Sequence, residues 1–275
     1  MLPADITESV QRALAEDLGS GDLSAALVDP RQELQARVIS REAGVLCGQP
    51  YFEAVCIQLS ADLRVNWNVS EGAEIVPNQP LCDIHGPAAA LLSAERSALN
   101  FLQLLSATAT QTRAFVERLR GSSTRLLDTR KTLPGLRLAQ KYAVRVGGGY
   151  NHRLGLFDGI LIKENHLAAI GGIAPAIARA RALAPVLTRI EVEVETLEQL
   201  DEAVAAGADM VLLDNFSVPA LREAVARVAG RIPLEASGNI SLDTVAAVAA
   251  TGVDYLSVGS ITRNVQSLDL SLRYL

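Results

Sequence analysis

The sequence is poor in aromatic residues, at 4% with a single Trp, and it holds only three cysteines, Cys47, Cys56 and Cys82. So few aromatics leave little to build the stacking platforms that bind single-stranded nucleic acid. Three scattered cysteines, with no CxxC pair among them, fit reduced thiols in a cytoplasmic protein rather than a disulfide framework or a zinc site. Positive charge is also short: the formal net charge is −6, which argues against general binding to nucleic acid or anionic membranes. No apolar run approaches the roughly 18–20 residues of a membrane span. The N-terminal stretch MLPADITESVQRALAEDL is acidic and lacks the basic start and apolar centre of a secretory leader. No GxGxxG follows an apolar run, so the dinucleotide-binding fingerprint is missing as well.

What the chain does have is a hydrophobic fraction of 49%, mostly Ala, Val and Leu, over 275 residues. That supports a substantial core in one large domain or two smaller ones. Residues 5–18 read as a helix, with Asp5 or Thr7 as cap and Ile6, Val10 and Leu14 on one face. Strand-like alternation appears in 34–46 and 63–69, and 71–86 reads as short strands about a Pro77-Asn78 turn. With no long helix between these stretches, the first hundred residues read as an α+β unit. Residues 88–106 form a helix candidate that is apolar nearly all round, interrupted by Glu95 and Arg96. A helix of that kind is expected to be buried at a domain or subunit boundary.

From about residue 108 the pattern changes. Apolar runs recur at 126–127, 160–162, 190–194, 210–213, 232–236 and 255–258, with Ala-rich helical stretches at 174–184, 197–206, 218–229 and 242–250. This alternation implies parallel strands buried on both faces and joined by crossover helices. GADMVLLDN (207–215) and GVDYLSVGS (252–260) share one style, which favours a (β/α) barrel over an open doubly wound sheet. Function in a barrel sits on the loops after the strands.

The residues at those strand ends are chemically distinctive. Residues 125–166 hold eight Lys/Arg against three acids, +5 in a chain whose remainder is −11. After successive apolar runs come Thr129, Arg130 and Lys131; His152 and Arg153; Lys163; Glu193; Asp214; Ser237-Gly238-Asn239; and Val258-Gly259-Ser260. Arginine forks suit carboxylates, lysine supplies a compact charge for phosphate, and paired carboxylates near a polyphosphate suit Mg²⁺. Small residues with backbone N–H groups on late loops suit a phosphate.

Each feature also has a plain structural reading. Arg130-Lys131 fits a solvated turn, His152 a structural histidine, Asp214 a helix cap, and Gly147–Gly149 a tight turn. Glu191, Glu193 and Glu195 share one side of a strand, so any of them, or none, faces a metal. The shared placement of the set after apolar runs favours one pocket, for a phosphorylated, magnesium-bound substrate beside a carboxylate-bearing one.

DTRKT, PGLR, KYAV, NHR and ILIKENH, with EDLGSGDLS, ERSALNFLQLLSATATQT, EVEVETLEQL, GADMVLLDNF, LEASGNI and DYLSVGSIT, resemble the quinolinate phosphoribosyltransferases over most of the chain. The resemblance implies an N-terminal α+β sandwich-like domain over 1–107 and an incomplete seven-stranded (β/α) barrel over 108–265, with the tail 266–275 packing back on the first domain. It implies a cytoplasmic, Mg²⁺-dependent homodimer that converts quinolinate and 5-phosphoribosyl 1-diphosphate to nicotinate mononucleotide, diphosphate and CO₂ in NAD biosynthesis. It places Arg96 in the neighbouring subunit's site, and Arg130, His152 and Arg153 on the quinolinate carboxylates. Lys131 and Lys163 fall between dicarboxylate and diphosphate, beside Thr129. Glu193 and Asp214 hold the metal and the ribose hydroxyls. Ser237, Gly238, Asn239, Val258, Gly259 and Ser260 hold the 5-phosphate. The chain departs from the family pattern at Asn78, Ala107 and Asn239, none of them in the cationic set. The rival readings are a molybdenum-utilisation paralogue of the same fold, a non-catalytic binding protein, and an unrelated phosphate-binding barrel.

Overall fold

The computed structural model describes residues 2–275. In chain order the elements begin with α1 (Ile6–Leu18), β1 (Glu33–Ser40), β2 (Gly44–Val45), α2 (Gln49–Leu59), β3 (Arg64–Trp67), β4 (Glu74–Ile75) and β5 (Pro80–Pro87). They continue with α3 (Ala88–Arg118), β6 (Arg125–Leu127), α4 (Arg137–Val146), β7 (Ile160–Ile162), α5 (Glu164–Ile170) and α6 (Ile173–Leu183). After these come β8 (Ile190–Val194), α7 (Leu197–Ala205), β9 (Met210–Asp214), α8 (Val218–Val228) and β10 (Leu234–Ser237). The last are α9 (Val245–Ala249), β11 (Tyr255–Ser257), α10 (Ser260–Arg263) and β12 (Leu270–Tyr274).

The chain divides into two compact units that are not simple linear segments. The first takes the chain up to Arg113 together with Thr132–Gly148 and Ile261–Leu275; the second takes Ala114–Lys131 and Gly149–Ser260.

The first unit is built on a four-stranded antiparallel sheet in the order β12-β1-β5-β3. Alternation in β1 puts Ala36 and Val38 into the core, while Arg37, facing away from it, pairs with Asp83 directly across on β5. That pair is two-pronged, at 2.6 and 3.1 Å. The tail closes the sheet edge, with Leu272 of β12 opposite Val38. Val10, Tyr51, Phe52 and Val55 from α1 and α2 belong to the same core.

Helix α2 is not foreseen from the sequence. Its apolar residues Tyr51, Phe52, Val55 and Cys56 have helical spacing, but its N-terminal cap comes from far away. Glu71 accepts the N–H groups of Gly48 at 2.8 Å and Gln49 at 3.1 Å, so no local capping signal exists. Helix α3 runs to Arg118, past the limit of 106 read from the sequence. Through the SATATQT stretch the hydroxyls of Thr108, Thr110 and Thr112 turn back to carbonyls four residues earlier, within the continuing helix. Helices α4 and α5 lie in basic and polar stretches that carry no helix expectation from the sequence.

The second unit is a six-stranded parallel sheet in the order β6-β11-β10-β9-β8-β7. A seventh position is reduced to one residue: Tyr150 forms an isolated parallel bridge with Leu127. The incomplete seven-stranded barrel is thus six short strands and a one-residue bridge. Helices α6, α7, α8 and α9 bury Ile177, Leu200, Leu221 and Val245. Thr196 and Ser217 start α7 and α8 by accepting N–H groups three residues on. Every second strand residue faces the interior; Leu161, Leu212 and Asp214, and Glu235 and Ser237, line one cavity there.

Candidate active site

A cavity of about 410 Å³ opens at the C-terminal ends of the strands. It brings together Thr129, Arg130 and Lys131 after β6, His152 and Arg153 beyond the Tyr150 bridge, and Lys163 after β7. Glu193, Asp214 and Ser237 complete it from β8, β9 and β10. Parallel strands bring this about: residues far apart in sequence leave the sheet at one end.

The cations are held in different ways. Arg130 has a buried Nε with no hydrogen-bond partner, a donor that an anion in the cavity would satisfy. The Lys131 N–H donates to Thr129 Oγ1 at 3.0 Å. Its side chain passes so close to Gly259 that a Cβ there would lie 2.9 Å from Lys131 Cδ; glycine keeps that path open. Lys163 forms an ion pair with Glu193, and its backbone N–H donates to His166 Nδ1 at 2.9 Å. Burial, with Arg130 close by, lowers the Arg153 pKa, opposed by Glu191 and Asp158. The Arg153 Nη1 donates to Gly159 O at 3.0 Å.

Of the three alternating glutamates, Glu193 lines the cavity, Glu191 is buried deeper at 6% exposure, and Glu195 lies exposed beyond the strand. Asp214 has its pKa raised, first by burial and then by Glu193, with Lys163 opposing. Two carboxylates thus face one space, with Lys163 paired to Glu193. Asn215, in the left-handed region at φ 57°, donates to Asp214 Oδ2 at 2.8 Å, and Asn239 donates to Asn215 Oδ1 at 3.3 Å. Gly238 has φ +98°, and a Cβ on it would fall 2.1 Å from Asn215 Oδ1. The Ser237-Gly238-Asn239 turn is therefore locked to the Asp214 loop.

Both ring nitrogens of His152 face protein. Nδ1 accepts the Arg153 N–H at 2.7 Å, and Nε2 lies 2.9 Å from Glu191 Oε2 and 3.5 Å from Glu235 Oε2. His152 lines the cavity, where the sequence places it, with both ring nitrogens engaged by protein. Glu235, wholly buried, has its pKa pushed well up by burial and by Glu191. Asn151, Asp128, Glu235 and Asn215 are not singled out by the sequence; the signal for Glu235 is a lone acid inside the apolar run 232–236.

Arg96 is elsewhere. It is exposed on α3 and lines a different cavity, of about 430 Å³, with Arg12 and Glu16 of the same unit. Gly238, Asn239, Val258 and Gly259 sit on the loops after β10 and β11 and Ser260 opens α10, and none of them lines the cavity.

Fold and site define an α/β protein that presents a cationic, carboxylate-bearing cavity at the ends of parallel strands. Comparison narrows that class. The chain matches the quinolinate phosphoribosyl transferase C-terminal domain over residues 108–273 and the N-terminal domain over 22–106. It is 45% identical over 272 residues to a nicotinate-nucleotide pyrophosphorylase [carboxylating] of Mycobacterium leprae, covering 96% of this chain and 95% of that one. It is 43% identical over 257 residues to a probable nicotinate-nucleotide pyrophosphorylase [carboxylating] of Bacillus subtilis, covering 94% and 89%. The structure of the nicotinate-nucleotide pyrophosphorylase from Francisella tularensis superposes with a TM-score of 0.95 at 45% identity, covering 100% of this chain and 98% of that one. The chain belongs to the quinolinate phosphoribosyltransferase family.

Proposed function

We propose that the chain transfers the phosphoribosyl group of 5-phosphoribosyl 1-diphosphate to quinolinate with decarboxylation, giving nicotinate mononucleotide, diphosphate and CO₂ for NAD biosynthesis. The observation that carries this reading is one cavity with Arg130, Lys131, Arg153 and Lys163 around the carboxylate pair Glu193 and Asp214. Its relatives carry the name of this reaction.

Arg130, with its unpaired buried Nε, and Arg153 take the quinolinate carboxylates, and His152 borders the same place. Lys131 and Lys163 stand between dicarboxylate and diphosphate and stabilise the charge that grows on the leaving group. Thr129 supports Lys131. The backbone groups of Ser237-Gly238-Asn239 and Val258-Gly259-Ser260 take the 5-phosphate. Glu193 and Asp214 form an oxygen donor set that fits Mg²⁺, and the raised pKa of Asp214 beside Glu193 marks a place where a cation is favourable. Bound there, Mg²⁺ would neutralise diphosphate charge.

The pyridine nitrogen forms a bond to C1 of the ribose as the C1–O bond to diphosphate breaks. The alkylated ring then accepts the electron pair from the C2–carboxylate bond as CO₂ leaves, and C2 takes a proton. The chain's own part is positioning and charge stabilisation.

The assembly is a homodimer in which Arg96, exposed on α3, completes the partner's site. Placement in the cytoplasm is part of the same reading; no helix among the described residues is long and apolar enough to cross a membrane. The test is incubation with quinolinate, 5-phosphoribosyl 1-diphosphate and Mg²⁺, following CO₂ and nicotinate mononucleotide. Stoichiometric appearance of both is the expected result. Binding of quinolinate without product would instead identify a non-catalytic binding protein, and no binding at all would favour the paralogue.

A further inference from the structure

Three buried carboxylates are not used by the reaction as written: Asp128 at 0% exposure, Glu191 at 6% and Glu235 at 0%, the last forming part of the cavity floor. They come from the end of β6, from β8 and from β10, and all three converge on Asn151-His152-Arg153. Asp128 Oδ2 accepts Asn151 Nδ2 at 2.6 Å, and Oδ1 accepts the His152 N–H at 2.9 Å. Glu191 and Glu235 flank His152 Nε2 at 2.9 and 3.5 Å. Because His152 Nδ1 accepts the Arg153 N–H, the neutral ring carries its proton on Nε2, which donates to Glu191.

The segment these groups hold is the one the sheet hardly holds. Its backbone pairing consists of Tyr150 N–H to Leu126 O at 2.8 Å and Asp128 N–H to Tyr150 O at 3.1 Å. No ladder follows, so the peptide carrying Arg153 depends on side chains. A cluster serving stability alone is a poor use of buried acids, since apolar residues of similar volume do that job as well or better. Glu191 Oε1 even lacks a hydrogen bond.

We infer that Asp128, Glu191 and Glu235 are positioning residues that fix His152 and, through it, set Arg153 for a substrate carboxylate. This rests on the reading of quinolinate as the Arg153 ligand. The diphosphate and 5-phosphate groups are assigned to other residues, Lys131, Lys163, Glu193 and Ser237 among them, so the set is expected to govern quinolinate more than the other substrate.

The test uses the full-length protein with Glu191→Ala, Glu191→Gln, Glu235→Gln and Asp128→Asn. Glu191→Ala is expected to raise the quinolinate KM about tenfold or more, the effect of losing a hydrogen bond to a charged group. The 5-phosphoribosyl 1-diphosphate KM should stay within about twofold, inside the margin of a change that touches no contact of that substrate. Glu191→Gln keeps an acceptor for Nε2 and should restore most of the loss, and it serves as the folded variant if the alanine form does not accumulate. Asp128→Asn and Glu235→Gln should move the quinolinate KM in the same direction by less. An unchanged quinolinate KM, or equal rises for both substrates, would overturn the inference.

A second readout does not need turnover. The chain has only three histidines, His85, His152 and His166, so their imidazole nitrogen resonances can be assigned. His152 should appear as the Nε2-protonated neutral form, and Glu191→Ala should abolish its protected N–H signal. A His152 signal unaffected by that change also overturns the proposal. A wild-type protein that neither binds quinolinate nor makes product defeats the functional reading, while the nitrogen spectrum still decides the positioning.

Discussion

Glu191 and Glu193 lie two residues apart on β8 and face the same side of the sheet, yet they do different work. One step of that kind moves a side chain about 7 Å along the strand. For Glu193 it ends in an open cavity, beside Lys163 and Asp214. For Glu191 it ends in the interior, against His152 and Glu235. Depth along the sheet, not residue type, separates a carboxylate that faces the open cavity from one that holds protein. The same division runs round the unit: Asp214 and Lys163 belong to the upper layer, Asp128 and Glu235 to the lower.

The sharpest way to break the comparison is to remove an upper-layer charge. Glu193→Ala or Lys131→Ala is expected to cut turnover by roughly two to three orders of magnitude, the usual cost of losing a group that stabilises developing charge. Steady-state assays beside thermal unfolding would show it: activity falls while the unfolding midpoint stays near that of wild type. Wild-type turnover in either folded variant would place Glu193 or Lys131 outside the chemistry.

Much of this layering was legible in the sequence, but not its depth. The parallel strands showed as apolar runs with Ala-rich helices between them, and the strand-end rule placed Thr129, Arg130, Lys131, Lys163, Glu193 and Asp214. Period two put Glu191 and Glu193 on one face and could go no further. Which of them is buried depends on where His152 arrives, and that is set by a single bridge at Tyr150 with no local pattern. Helix α2 was missed for a similar reason, since its cap, Glu71, is more than twenty residues away. The turn after β10 was recognised by its small residues, whereas the Asn215–Asn239 contact that locks it exists only in three dimensions.

A change between the layers sharpens the contrast. Gly238→Ala forces a φ of +98° on a residue with a side chain and drives its Cβ toward Asn215. The strain should lower stability by about 1–3 kcal/mol, read from denaturant midpoints. Because Asn215 also donates to Asp214, turnover should fall further than stability explains. A variant of unchanged stability would show that the turn can relax without Asn215.

The lower layer should betray itself through pH. Burial and Glu191 hold the Glu235 pKa well above its unfolded value. Between those two values the native protein keeps a proton that the unfolded chain has released. Stability is therefore greatest below the unfolded pKa and is lost as pH rises through the folded one. The slope from this one group is at most about 1.4 kcal/mol per pH unit. Glu235→Gln, which cannot ionise, should flatten it in denaturation curves taken across mildly acid to mildly alkaline buffers. Identical slopes for variant and wild type would mean that Glu235 is ionised in the native state.

The smallest effect belongs to a carboxylate outside both layers. Asp209 precedes β9, pairs with Arg181 and accepts the Ile190 N–H at 2.7 Å. First Arg181 and then that backbone bond, against a burial penalty, lower its pKa. The sign is opposite to that of Glu235: the contribution is present above the unfolded pKa and is lost as pH falls through the folded one. Both side chains are partly open to water, Arg181 at 43% and Asp209 at 32%, so solvent screens the pair. Arg181→Ala should cost under about 1 kcal/mol near neutrality, and the cost should shrink toward strongly acid pH and high salt. Turnover should not change, because the pair touches neither layer of the interior. A larger loss, or one that persists in acid, would mean that Arg181 acts through packing on the strand entrance and not through charge.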